Sequence, residues 1–216
     1  MQPVSAESTA VYVIDDDASV RTAMGRLLRS ASYTVYEFPS AEAFLSQCSM
    51  DTPGCLLLDL KMPSVSGLDL VEVLERDESP FTAVLMTGVG DIQDSVKAMK
   101  LGAVDFLTKP LEESQILASV QSAMRLSWQR YWQRHEKARL QELFDTLTPR
   151  ERQVCELVSL GLPNKQTALR LGASEKTVKI HRGRVMSKLA VNSVAELVRF
   201  VDRLQPGVRR SPETST

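Results

Sequence analysis

Short apolar runs punctuate the first half of the chain, and each one ends on a polar group. Val11-Tyr12-Val13-Ile14 leads into Asp15-Asp16-Asp17, and Cys55-Leu56-Leu57-Leu58 leads into Asp59. Ala83-Val84-Leu85-Met86 leads into Thr87, and Val104-Asp105-Phe106-Leu107 leads into Thr108-Lys109-Pro110. Runs this short, set between segments of helical character, predict buried strands of a parallel sheet. Val20, Met24, Leu27 and Leu28 form a helical stripe after the first run. Strand and helix alternate from about Thr9 to Met124, which predicts a doubly wound α/β domain over 9–124. In such a sheet the groups that follow the strands gather beyond the carboxyl edge. Carboxylates, a hydroxyl and an ammonium then share one pocket, a set suited to a hard cation and a phosphoryl group.

The pattern changes after Met124. Residues 125–146 are rich in Trp, Gln, Arg, Lys and Glu, without Pro or Gly, and predict a helical linker that continues the preceding helix. Leu140, Leu143, Phe144 and Leu147 give it an apolar stripe, open to packing on a neighbour or to a role in a solvated spacer. Thr148-Pro149-Arg150-Glu151 has the spacing of a capping box with Pro at the first helical position. Gly161 is the expected stop of that helix, Asn164 to Leu171 a short second one ended by Gly172, and Ser174 the cap of a third. Ser193 and Glu196 repeat the capping-box spacing before Val194, Leu197, Val198, Val201 and Leu204. Four short helices with a Gly turn between the middle pair predict a small all-α helix-turn-helix domain over 147–205. The Pro- and Ser-containing stretch 206–216 is expected to be a flexible tail.

Composition divides at the same place. The formal net charge is -1, but Met1 to Met124 hold 8 Lys+Arg against 18 Asp+Glu, a balance of -10. Arg125 to Thr216 hold 18 against 9, a balance of +9, which makes the second half a candidate for nucleic acid. Cys48, Cys55 and Cys155 are scattered and odd in number, so buried thiols are expected rather than a disulfide framework. No run has the length of a bilayer span, and the start lacks a basic-then-apolar leader. A protein of the reducing cytoplasm, without a membrane partner, fits these features.

The third helix of the second domain has two faces. At about 100° per residue, Val178, Val185 and Leu189 fall together, as a core-facing side does. Lys176, Lys179, Ile180, Gly183, Arg184 and Ser187 spread over the opposite half, as expected of a helix laid in the major groove. Thr177 belongs with the start of that helix, while His181 and Lys188 lie at the margin, where phosphates are the expected contact. Gly183 costs about 1 kcal/mol relative to Ala in a helix interior. Its missing side chain at the centre of the exposed face suits a close approach to the bases.

Taken together and in order, these motifs resemble a two-component response regulator of the NarL/FixJ type: a flavodoxin-like receiver domain followed by a LuxR-type helix-turn-helix. The resemblance covers all but the first residues and the tail. It implies that Asp59 accepts a phosphoryl group from a sensor histidine kinase in a Mg2+-dependent reaction. Asp16 and Asp59 are expected as direct ligands of the ion, Asp15 through water, and Lys61 through its backbone carbonyl. Lys109 and Thr87 then hold phosphoryl oxygens, the Lys109-Pro110 bond is cis, and Phe106 is the aromatic that turns inward after Thr87 moves. It implies further that the receiver pairs through the face of its fourth helix and fifth strand or a neighbouring face. Two basic domains then meet an inverted repeat in promoter DNA and recruit RNA polymerase. Glu151, Asn164, Thr177, Val178, Lys179, His181 and Lys188 match the LuxR-type pattern; Val194 departs from its usual arginine, and many relatives carry a longer side chain at Gly183.

Each residue alone admits a plainer reading. Asp17 is better placed to cap a helix than to bind metal, and Asp15 or Asp16 has the same option. Asp59 alone is a turn residue, Lys109 a surface lysine, Phe106 a core aromatic, and the basic face a solvated one. A Mg2+-dependent aspartyl-nucleophile phosphohydrolase is the enzymatic alternative. Such enzymes place a second Asp two residues after the nucleophile as acid/base, where this chain has Lys61. The chain is therefore read as a regulator and not an enzyme, with a phosphorylation-independent regulator as the remaining alternative.

Overall fold

The structure is a computed structural model that describes residues 10–88 and 92–204. The expected first residue of the receiver, Thr9, and the expected tail over 206–216 lie outside the described residues.

Strands β1 (Ala10–Ile14), β2 (Thr34–Phe38), β3 (Cys55–Asp59), β4 (Thr82–Thr87) and β5 (Asp105–Thr108) form one parallel sheet of order β2-β1-β3-β4-β5. The three central strands are buried at every position, which is why they read as unbroken apolar runs. Side chains alternate between faces with the period of a strand. Tyr12, Ile14, Leu56, Leu58 and Leu85 join Phe44 and Phe81 in one core. Val11, Val13, Leu57, Val84 and Met86 join Leu28, Ile116 and Val120 in the other. Helices α2 (Ala41–Gln47) and α3 (Gly67–Arg76) cover the first face, and α1 (Ala18–Ser30) and α5 (Glu113–Asp145) the second. Helix α4 (Ile92–Lys100) packs beside β5. The strand order reverses between β1 and β3, so the carboxyl ends of those strands flank the crevice where doubly wound sheets hold their ligands.

Helix α5 does not leave the receiver at Met124. Ser127 Oγ accepts the Gly54 N–H at 2.7 Å, Trp128 packs against the second core, and Arg130 pairs with Glu75 at 2.6 Å. Beyond it, Leu140, Leu143 and Phe144 pack on the core of the second domain. The chain divides into two compact units between Gln133 and Arg134. The segment expected as a helical linker over 125–146 thus runs on from the last receiver helix, and its apolar stripe packs on the core of the second unit.

The second unit contains α6 (Pro149–Ser159), α7 (Asn164–Leu171), α8 (Glu175–Lys188) and α9 (Val194–Leu204) after the end of α5. Thr148 and Glu151 cap α6 reciprocally, as their spacing predicts. Gly172 takes φ +58 and ends α7 in the left-handed conformation that favours glycine. Before α9 the expected box is only half formed: Ser193 Oγ accepts the Glu196 N–H, but the Glu196 carboxylate accepts the Asn192 N–H at 2.8 Å. Val154, Cys155, Val158, Val185, Leu197 and Phe200 make the core. Cys55 and Cys155 are buried free thiols, and burial pushes both above the usual thiol range. No helix among the described residues is long and apolar enough to cross a membrane.

Candidate functional site

The carboxyl edge of the sheet brings together residues from β1, β3, β4 and β5. Asp15, directly after β1, is 1 % exposed, and its Oδ1 accepts the Asp17 N–H at 2.8 Å. Asp17 itself caps α1, accepting the Ser19 N–H at 2.7 Å, so the cap reading holds for that residue. Asp59 closes β3 and is 7 % exposed; its Oδ2 accepts the Lys61 N–H at 2.8 Å. Thr87 closes β4 and is buried, and its carbonyl accepts the Lys109 N–H at 2.7 Å. The Lys109-Pro110 bond is cis. Lys109 Nζ reaches across to Asp59 Oδ1 at 2.7 Å and to Asp15 Oδ2 at 3.5 Å.

Two buried carboxylates therefore share one ammonium. Burial, reinforced by the nearby Asp59 charge, raises the Asp15 carboxyl above its usual range against the pull of the Asp17 N–H and Lys109. Burial would lower Lys109, but Asp59 and Asp15 outweigh it and hold the ammonium above its usual value. The site carries more negative than positive charge, a balance that a divalent cation would correct. Asp16, expected as a direct ligand, is exposed and stands outside this ion-pair network. Among the described residues no three His, Cys, Asp or Glu side chains are drawn together as a metal cluster. Mg2+ keeps several waters and needs few protein oxygens, so Asp15, Asp59 and a backbone carbonyl fit it without such a cluster.

Sequence reasoning passed over Arg21. From α1 its Nη1 donates to the Asp15 carbonyl at 2.6 Å and pins the acidic loop from outside. The only sequence signal was a cation on the first turns of a helix beside three aspartates. Phe106, by contrast, is no core aromatic: it is 38 % exposed, and Val96 and Met99 of the neighbouring α4 are also exposed.

In the second unit α8 buries Val178, Val185 and Leu189 and exposes Lys176, Thr177, Lys179, Ile180, Gly183, Arg184 and Ser187. The Thr177 hydroxyl pairs with Ser174 Oγ at 2.8 Å. His181 is half-buried, and its Nδ1 is buried without a hydrogen-bond partner among the described residues. Arg182 Nη1 donates to Asn164 Oδ1 at 3.1 Å and ties α8 to α7. Lys188, expected at a phosphate, is paired inside the domain. Its ammonium donates to Glu151 Oε2 at 2.7 Å and to the Thr146 carbonyl at 2.9 Å, because a buried carboxylate within reach outcompetes solvent for it.

A Cβ added at Gly183 meets nothing within 4 Å. Gly183→Ala is expected to stabilise the second domain by about 1 kcal/mol through helix propensity. If the bare backbone lies against the bases, the same change weakens DNA binding; calorimetry and binding anisotropy read the two effects, and unchanged affinity would remove Gly183 from the contact surface.

Lys188, with help from the Thr148 N–H, lowers the Glu151 carboxyl to about 2. Its contribution to stability is therefore complete above the unfolded value of about 4.3 and is lost as pH falls toward about 2. The unfolding temperature of the full chain is expected to drop more steeply over that window than the temperature of Glu151→Gln. Parallel curves would contradict the pairing.

Comparison with known proteins agrees with both halves. The response regulator receiver domain model matches residues 11–121, and the model of bacterial regulatory proteins, luxR family, matches residues 145–201. The response regulator protein TodT of Pseudomonas putida is 40% identical over 205 residues, covering 95% of this chain and 90% of its own. Transcriptional regulatory protein FixJ of Bradyrhizobium diazoefficiens is 40% identical over 193 residues, covering 89% and 94% respectively. Among solved structures, response regulator StyR is similar with a TM-score of 0.79 at 43% identity, over 91% of this chain and 99% of that one. Full-length FixJ from B. japonicum has a TM-score of 0.55 at 39% identity, over 92% and 98%. With both domain models in order and relatives similar along nearly the whole chain, this protein belongs to the two-component response regulators that join a receiver to a LuxR-family DNA-binding domain.

Proposed function

We propose that Asp59 is the phosphoryl acceptor and that its phosphorylation switches the chain into a DNA-binding dimer. The observation that carries this reading is the Lys109 ammonium held 2.7 Å from the buried Asp59 carboxylate, with Thr87 closing the adjacent strand. An oxygen of Asp59 attacks phosphorus, the P–N bond to the histidine of a sensor kinase breaks, and the departing imidazole takes up a proton. Lys109 moves its charge to a phosphoryl oxygen as a point donor, and the Thr87 hydroxyl donates to another. Asp15, Asp16, Asp59 and the Lys61 carbonyl would hold Mg2+, which when bound offsets the negative charge gathered there.

Thr87 then draws toward the phosphoryl group and Phe106 turns inward. The exposed Val96, Met99 and Phe106 supply an apolar face on α4 and β5 for pairing with a second copy. Pairing sets two α8 helices on an inverted repeat in promoter DNA, through Lys176, Lys179, Ile180, Gly183, Arg184 and Ser187, with Thr177 and His181 beside them. The protein acts in the cytoplasm, and its bound dimer recruits RNA polymerase.

Borohydride trapping tests the acceptor directly. With Mg2+ and a small phosphodonor, reduction of the acyl phosphate should leave homoserine at position 59 of the wild-type chain. Homoserine at 15 or 16, or none at all, would contradict the assignment.

A further inference from the structure

Lys188 ends α8 one residue before the buried Leu189 and three after the buried Val185, on the flank of the helix that turns inward. Its ammonium is committed there: Glu151 Oε2 lies at 2.7 Å and the Thr146 carbonyl at 2.9 Å. Glu151 is 2 % exposed, and the same Oε2 accepts the Thr148 N–H at 2.9 Å. One carboxylate thus joins the N-terminus of α6 to the last turn of α8, and one ammonium joins both to the carbonyl that follows α5. Arg152 adds to the junction, donating to the Asp145 and Leu147 carbonyls. A lysine that swung out to a phosphate would abandon Glu151 as a buried, unpaired charge, a strongly unfavourable exchange. Lys179 and Arg184 are exposed and take part in no such junction among the described residues.

We infer that Lys188 is a positioning residue for DNA recognition: through Glu151 and Thr146 it fixes the end of α8 against α6 and lends no charge to the DNA backbone. This rests on the reading of α8 as the groove helix.

Counterion release separates the two roles, since each lost phosphate contact lowers the slope of log affinity against log salt by about one. The probe is a fluorescein-labelled duplex recovered from a randomised pool by the full-length wild-type chain. Lys188→Met is expected to weaken binding by the same factor at every salt concentration, with the wild-type slope, and to lower the unfolding temperature. Lys188→Met combined with Glu151→Gln removes the stranded charge; it should recover the unfolding temperature and keep the slope, so a fold defect in the single variant leaves the test intact. Lys179→Met and Arg184→Met should each reduce the slope by about one. A slope loss in the Lys188 variants equal to theirs would overturn the inference. Unchanged slopes in both controls would instead overturn the groove-helix reading, and the inference with it.

Discussion

Asp59→Asn is expected to abolish the gain in DNA affinity that a phosphodonor confers, a gain of about 100-fold or more in the wild type. The size follows from linking two half-sites: the second helix binds at the effective concentration set by the first, which multiplies affinity by about 10² to 10⁴. Asparagine keeps the shape of the side chain and can still accept the Lys61 N–H, which meets Asp59 Oδ2 at 2.8 Å. It removes the nucleophile and the charge that holds Lys109. Lys109 is one-third exposed, so solvent relieves much of the lost pairing and the fold should persist. Binding anisotropy with and without donor reads the effect. A donor-dependent gain that survives in Asp59→Asn would move the acceptor elsewhere.

The second large effect is expected from Lys179→Ala combined with Arg184→Ala. Both side chains are exposed on the face of α8 opposite Val178, Val185 and Leu189, so the domain should melt as the wild type does. A charge-assisted contact to the DNA lost with each cation costs about 1 kcal/mol or more, so the pair should weaken binding by about 30-fold or more. The salt slope should fall by about two. Full affinity in the double variant, measured on the same selected duplex, would take α8 out of the groove.

How much of this was legible in the sequence differs from one residue to the next, for physical reasons. Strands β1, β3 and β4 were legible because both faces of each are covered, which forces an unbroken apolar run. Strand β2 left no such run: it is an edge strand whose Thr34, Tyr36 and Glu37 are exposed, and only the alternation of elements implied it. The pocket was legible because each chemical group directly follows or closes a strand. Arg21 was not, since its contact is to a backbone carbonyl, which leaves no trace in side-chain pattern.

The second domain tells the same story. Its capping boxes and glycine stops are local signals, and they placed α6, α7 and α8 closely. The pairing of Lys188 was not legible because a helical wheel gives the direction of Cβ, whereas a four-carbon side chain at the margin turns to whichever partner lies in reach. That partner, Glu151, is 37 residues away in the chain, and no local rule connects them. The 125–146 segment was read as a helical linker whose stripe was open to packing or to solvent, for a similar reason. Its stripe was visible, but the core of the second unit that receives it was not.

Phosphorylation-driven pairing is tested by the molar mass of the full-length chain by light scattering, in Mg2+ with and without a small phosphodonor, for the wild type beside Asp59→Asn. A shift from monomer to dimer is expected, and it should require donor, metal and Asp59 together. A wild type that stays monomeric under verified phosphorylation, or a variant that dimerises equally well, would contradict it.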